Sequence, residues 1–308
     1  MDIKPATCPL QEIRYPLGVA CHDAGGASQI FSFLEAKSIR PSYVFASGPA
    51  REIFTKSSSF RGSLVEDLDF INHINTLITG TGWATDLEHE ARLVAHEKGS
   101  IYSITILDHW TNYLERFERC GCRCLPDEIW CVDDFSFKLA SSIFDNTLLR
   151  LIPDYYALSV LDLLTSSPAC SSPIILYLCE PIRSCWGHEN TRYLGEFQAF
   201  EFFISMLDVL KFPKSAPVVL KPHPSESPSK YIRYASSLSD RHVSISTEPL
   251  VPLLSRSKWV VGCQTYALYL ALLANKCVYS SIPPWGPLCS LPHQGIIHMR
   301  DYYLEPLP

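Results

Sequence analysis

The chain has 308 residues, 47% of them hydrophobic and 19% charged, with a formal net charge of −6. This is a globular composition with apolar mass for about two domains of roughly 150 residues each. The acidic balance leaves no electrostatic footprint for nucleic acid, and no apolar run approaches the ~18–20 residues that cross a bilayer.

The N-terminus "MDIKPATCPLQEIRYPLG" lacks the basic-then-apolar layout of a secretory signal. A cytoplasmic protein is expected, with peripheral association at the inner face of a membrane left open. The 12 cysteines then read as reduced thiols. Cys21, Cys131, Cys179 and Cys263 lie in apolar stretches and suit a core. The cluster "CGCRC" at 120–124 has C-x-C-x-C spacing and no nearby partner pair, so no metal is expected there. Arg116, Arg119 and Arg123 crowd together and read as a solvated face.

Along the chain, short apolar runs alternate with amphipathic ones. "YPLGVAC" (15–21) reads as a strand and "ASQIFSFLEAK" (27–37) as the helix after it. Strands follow at 42–47, 75–80, 101–107 and 128–132, with helices over 86–98 and "DFSFKLASSIF". Residues 150–173 break the rhythm, and 156–170 read as a linker. Strands resume at 174–180, 217–221, 243–246, 259–262 and 277–282. Helices are expected over 195–212, "PLVPLLSRS" and about 265–275. Strands alternating with helices at this spacing imply parallel sheets covered on both faces. The expected fold is α/β: a Rossmann-like domain over 1–155, a second over 171–308, and a cleft between them.

In open parallel sheets, ligands bind beyond the carboxyl ends of the strands. In "VVLKPHPSESPSK" (218–230), His223 sits just past a strand, held between Pro222 and Pro224, which restrict the local backbone. In "HDAGGAS" (22–28), Gly25 and Gly26 permit close backbone approach. Asp23 beside them is either a helix cap or a general base. Thr85 and Glu88 have the spacing of a capping box, which assigns Glu88 a structural role. Glu90 and Trp83 could face the cleft, and His89 and His96 read as structural. Asp108, His109 and Trp110 follow a very apolar strand, as acid/base machinery or as a cap with an aromatic wall. Gln264 and Thr265 open an apolar helix, where N–H groups and a hydroxyl suit an anion, or where Thr265 simply caps. The Pro-rich stretch 281–295 reads as a brace for the C-terminus.

Two Rossmann-like halves, "KPHP" after a strand of the second, and a glycine plus hydroxyl opening a helix some forty residues later resemble the GT-B glycosyltransferases. Among these the chain is most similar to bacterial sialyltransferases and polysialyltransferases of polysaccharide biosynthesis, which use CMP-activated sugars. The resemblance implies that His223-Pro224 is the HP motif whose histidine assists departure of the nucleotide. Gln264-Thr265 takes the place of paired phosphate-binding serines, with one hydroxyl only. Asp23 matches an acidic motif that Ala24 interrupts, and Asp108 competes with it as the base. Lys221 and Thr265 would neutralise phosphate, and Glu248 would reach the ribose.

The resemblance thus implies a metal-independent transferase with no resident cofactor. It would move a CMP-linked acidic sugar, sialic acid-like or Kdo-like, from a nucleotide-sugar donor to a glycan acceptor. The alternatives are a UDP- or GDP-sugar transferase, a nucleotide-sugar epimerase of the same fold, or a non-catalytic scaffold that binds glycan or nucleotide.

Overall fold

The computed structural model describes residues 13–56, 62–82, 84–166, 172–182, 195–224, 226–232, 235 and 242–303. The chain divides into two compact units, Met1–Leu158 and Ser159–Pro308.

The first unit runs β1 (Leu17–Cys21), α1 (Ala24–Ala36), β2 (Tyr43–Ala46), α2 (Gly48–Lys56), β3 (Ser63–Leu64), β4 (Thr76–Thr79), α3 (Leu87–Lys98) and β5 (Tyr102–Leu107). A two-stranded hairpin follows, β6 (Glu118–Arg119) and β7 (Cys122–Arg123). Then come β8 (Glu128–Cys131), α4 (Asp134–Ser141) and β9 (Leu148–Leu151), and α5 (Tyr155–Thr165) crosses the division between the units. Seven strands form one sheet in the order β3-β2-β1-β4-β5-β8-β9, with every pairing parallel.

The fully buried strands explain the unbroken apolar runs. β1 places Leu17, Val19 and Cys21 with Phe33 and Leu34 of α1 on one face. Ala20 joins Leu77 of β4 and Ala91 and Ala95 of α3 on the other. This is the covered parallel sheet that period-two alternation would not reveal.

The second unit runs β10 (Ile174–Leu178), α6 (Glu196–Met206), β11 (Val218–Lys221), β12 (Val243–Ile245), α7 (Leu250–Arg256), β13 (Ser257–Gly262), α8 (Tyr266–Leu273), β14 (Cys277–Ser280) and β15 (Ile296–His298). Its sheet is also parallel, ordered β12-β11-β10-β13-β14-β15. Ile175, Tyr177 and Cys179 pack on Phe200, Phe203 and Met206 of α6.

Several expectations need correction. The division between the units, Leu158/Ser159, falls within the expected linker 156–170, of which 156–165 belong to helix α5. Asp154 accepts a hydrogen bond from the Ala157 N–H at 2.8 Å and so caps this helix; the remainder of that stretch, 167–170, lies outside the described residues. The long helix expected to reach 212 is shorter, ending at Met206. The capping box expected at Thr85 and Glu88 does not form, since Asp86 occupies the N-cap position without a side-chain bond. A capping box exists instead at α4, between Asp133 and Ser136. Strands β3, β9 and β15, of two to four residues, were too short to register as apolar runs. Among the described residues no helix is long and apolar enough to cross a membrane.

Candidate functional site

Counted by their strands, both sheets share one order, 3-2-1-4-5-6, which the first unit extends by one strand. This is the doubly wound order in which a crevice opens beyond the first and fourth strands, where the connections diverge. The residues at that point therefore decide what each unit can do.

In the first unit the crevice lies between the ends of β1 and β4. His22 and Asp23 follow β1, and His22 Nδ1 lies 2.8 Å from Asp23 Oδ1. Thr81 and Gly82 follow β4. A Cβ placed on Gly82 would lie 2.8 Å from both Asp23 Oδ2 and Glu88 Oε1. Two carboxylates thus converge on one backbone position that only glycine can fill. Glu88 is buried and accepts the His22 N–H at 2.8 Å through Oε1. Its other oxygen has no hydrogen-bond partner among the described residues. Burial pushes the Glu88 carboxyl above its usual range; the Asp23 charge adds to this, against the lowering pull of the His22 N–H. The T-x-x-E spacing concealed this residue, because it offered a complete structural account of it.

Asp108, the competing base, is enclosed. It accepts from the Thr81 hydroxyl at 2.9 Å and lies 3.6 Å from both Arg116 Nη1 and His109 Nε2. Burial alone would raise its carboxyl, but His109, Arg116 and the Thr81 hydroxyl together hold it below the usual carboxylate range. His109 is itself lowered, by burial foremost and by Arg116, against the pull of Asp108. Arg116 is not on a solvated face. Its guanidinium is buried and also donates to the Thr81 carbonyl and hydroxyl and to the Thr111 carbonyl. Trp110 donates to Asp133 at 2.8 Å and so joins the α4 cap.

The glycines of the first loop have internal reasons to be glycine. They belong to the opening turn of α1 rather than to a free loop. A Cβ on Gly25 would lie 2.1 Å from Asp108 Oδ2, and one on Gly26 would lie 3.1 Å from the Gly80 Cα. Their small size seats a carboxylate against the helix start and lets α1 approach β4 backbone to backbone. Glu90 is exposed, whereas His89 is buried. Trp83 lies outside the described residues.

In the second unit the crevice between β10 and β13 is already filled. Glu180, two residues past β10, sends its carboxylate to the start of α8. Oε1 accepts from the Cys263 N–H at 2.6 Å and the Gln264 N–H at 3.0 Å, and the Thr265 N–H adds a further bond. Burial pushes the Glu180 carboxyl up to about 7, although these amides favour its charged form. The anion mouth read at Gln264 and Thr265 exists, and a side chain of the same unit occupies it. Thr265 also caps through its hydroxyl, which accepts the Ala267 N–H at 3.4 Å. Gln264 Oε1 accepts from Ser290 N–H at 3.3 Å, tying the mouth to the Pro-rich stretch. That stretch braces as expected: His293 stacks on Tyr269, and Arg300 donates to the Pro287 carbonyl at 2.8 Å.

β11 and β13 are separated by β10. The strands leading to His223 and to Thr265 are therefore about 9–10 Å apart, with Glu180 at the end of the strand between them. His223 is half-buried, Pro224 is exposed, and the Glu226 N–H donates to the His223 carbonyl at 2.9 Å. Lys221 donates to the Glu248 carbonyl at 2.8 Å, and burial lowers its ammonium. The Glu248 carboxylate is exposed and pairs with Arg256 at 2.8 Å. Among the described residues no group of three His, Cys, Asp or Glu side chains could hold a metal ion.

No protein-family model and no curated protein sequence matches the chain. Among solved structures it is similar to the UDP-GlcNAc 2-epimerase of Neisseria meningitidis bound to UDP-GlcNAc. That likeness has 15% identity and a TM-score of 0.58, over 88% of this chain and 83% of that one. It is also similar to the S. aureus MnaA–UDP complex, with 11% identity and a TM-score of 0.55, over 86% and 78% of the two chains. A glycosyl transferase family 9 structure from Veillonella parvula aligns at 10% identity and a TM-score of 0.42, over 93% and 88%, too loosely to carry an argument. None of these three is a sialyltransferase, so the narrower part of the resemblance has no counterpart among them. At such identities the likeness speaks to architecture: the chain has an α/β, GT-B-like fold of two parallel-sheet units.

Proposed function

We propose that the chain is an enzyme acting on a nucleotide-linked sugar, most simply a glycosyltransferase with a glycan acceptor. The observation that carries this reading is the pair of carboxylates, Asp23 and Glu88, around Gly82, with the His22 imidazole on Asp23. Asp23 is the base. Its side chain is 32% exposed against 7% for Asp108, and a base must reach its substrate proton. Asp23 takes the proton of an acceptor hydroxyl, whose oxygen attacks the anomeric carbon as the bond to the nucleotide phosphate breaks. His223 stabilises the departing phosphate, with Lys221 beside it in sequence. Glu180 holds the amides at 263–265, so the phosphate falls to these two side chains rather than to the α8 mouth. The donor first suggested by the HP motif is a CMP-linked acidic sugar.

One observation favours a second reading. The two neighbours with the higher TM-scores hold UDP-GlcNAc and UDP, and a base with a second carboxyl beside it also suits removal and return of a sugar C2 proton. Thermal-shift measurements with CMP, UDP and GDP test the donor, since a cognate nucleotide stabilises the fold by mass action. Incubation of the nucleotide sugar in deuterated water separates the reactions, because epimerisation places deuterium at C2 and transfer does not. Asp23→Asn and His223→Ala should each abolish most turnover in either case, by about 10²-fold or more. Stabilisation by none of the nucleotides, or full activity in both variants, would remove the proposal.

A further inference from the structure

Glu88 poses a problem that its neighbours define. It is 1% exposed. Oε1 accepts from the His22 N–H, the carboxyl also has its own backbone N–H close by, and Oε2 has no hydrogen-bond partner among the described residues. An ionised carboxylate so placed would be among the costliest groups a fold can bury. The cation on its own helix favours the ionised form only weakly, through its charge, and makes no hydrogen bond to it. Arg92 turns its guanidinium to the Gly80 carbonyl at 3.1 Å, to the Thr79 hydroxyl at 3.3 Å and to the Arg116 carbonyl at 3.4 Å, with Phe117 beneath it. From β1, burial foremost holds the Cys21 thiol neutral, so it brings no charge to Glu88. From α3, His89 is buried, with neither ring nitrogen hydrogen-bonded among the described residues. The remaining charged neighbour is Asp23, whose Oδ2 lies 2.8 Å from the same point as Glu88 Oε1. The two oxygens are thus under about 6 Å apart, a range at which one negative charge disfavours a second.

We infer that Glu88 is a neutral carboxylic acid in the folded protein, with its proton on Oε2, and that this neutrality leaves Asp23 as the ionised carboxylate over Gly82. The second half rests on Asp23 being the base; the first half does not. The arrangement divides two like groups by environment. Glu88 keeps a proton and holds the His22 backbone through its carbonyl oxygen. Asp23, half in solvent with an imidazole against it, keeps the negative charge that accepts the substrate proton. Glu88 is a positioning residue, since it acts through His22 and Asp23.

Infrared difference spectroscopy of the whole chain tests the protonation state without a substrate. The wild-type protein near neutral pH should show the carbonyl band of a buried protonated carboxyl that Glu88→Gln lacks. Glu180 contributes its own component, so both are also recorded in a Glu180→Gln background, where the Glu88 band can be titrated with position 88 untouched. Glu88→Gln, a neutral isostere that keeps the acceptor for His22, should preserve the acid limb of the pH–rate profile and lose less turnover than Asp23→Asn. Glu88→Ala should lose at least tenfold, roughly, because His22 loses its anchor. Absence of the band, or loss of turnover in Glu88→Gln equal to that in Asp23→Asn, would overturn the inference. A band that is present while Asp23→Asn remains fully active would instead remove Asp23 as the base and leave the neutral Glu88 standing.

Discussion

The first and fourth strands of each unit end around a crevice, and each crevice contains a buried glutamate raised by burial, Glu88 in one and Glu180 in the other. The difference lies in the donors. Glu180 accepts backbone N–H bonds from three successive residues and closes the start of α8. Glu88 accepts from the His22 N–H and from its own N–H, and leaves Oε2 without a hydrogen-bond partner among the described residues. Topology makes both places available to a ligand, but hydrogen-bond satisfaction separates them. Where the fold consumes its own amides the crevice is a joint. Where it leaves a polar group short of partners beside a second carboxylate, chemistry has something to use.

The comparison can be broken most forcefully at Arg116. Arg116→Met leaves the buried Asp108 carboxylate without its permanently charged partner, an expected loss of about 3–5 kcal/mol, read as a lowered urea midpoint. A loss under about 1 kcal/mol would show that Thr81 and His109 suffice, and would return Asp108 to contention as a base.

Glu180 sharpens the other side through pH. An unfolded glutamate titrates near ~4.3, whereas the folded one titrates at about 7. Between these values the folded chain binds the proton more tightly. The contribution of this group to stability is therefore greatest below the lower value and is lost as pH rises to the upper one. The total is on the order of 3 kcal/mol. Thermal midpoints recorded across that range should fall with pH in the parent and flatten in Glu180→Gln. Equal slopes would mean that the amides at 263–265 keep the carboxylate ionised throughout. The smallest expected effect on stability, about 1–3 kcal/mol, belongs to Gly82→Ala, whose methyl would press on both carboxylates. Its turnover should fall much further than its stability. Loss of the two in proportion would make Gly82 a packing residue only.

The alternating pattern carried most of the architecture. Strands such as β1 and β10 are continuous apolar runs, and those runs are what a doubly covered sheet requires. What the pattern could not show is where a side chain goes after the chain turns. Glu180 ends a strand-like run and looks like any polar residue at a strand end, yet it reaches a helix mouth more than eighty residues away in sequence. Glu88 fitted a local motif that the backbone did not adopt. Gly25 and Gly26 suggested ligand approach, and their space is taken by Asp108 and Gly80. In each case the deciding partner is distant in sequence, and local spacing cannot report on it. The place of Asp23 beside a glycine turn was legible because it depends only on sequence neighbours.

The small hairpin of β6 and β7 offers a practical handle. Arg119 on β6 donates to the Gly82 carbonyl at 2.8 Å, so this ribbon is fastened to the backbone beneath the two carboxylates. It also displays Cys120 and Cys122, which are exposed while Cys21, Cys131, Cys179 and Cys263 are not. With the exposed Cys277 of β14 replaced, a fluorophore attached through either thiol would ride on the hairpin and register any shift of the Gly82 segment as a change in emission.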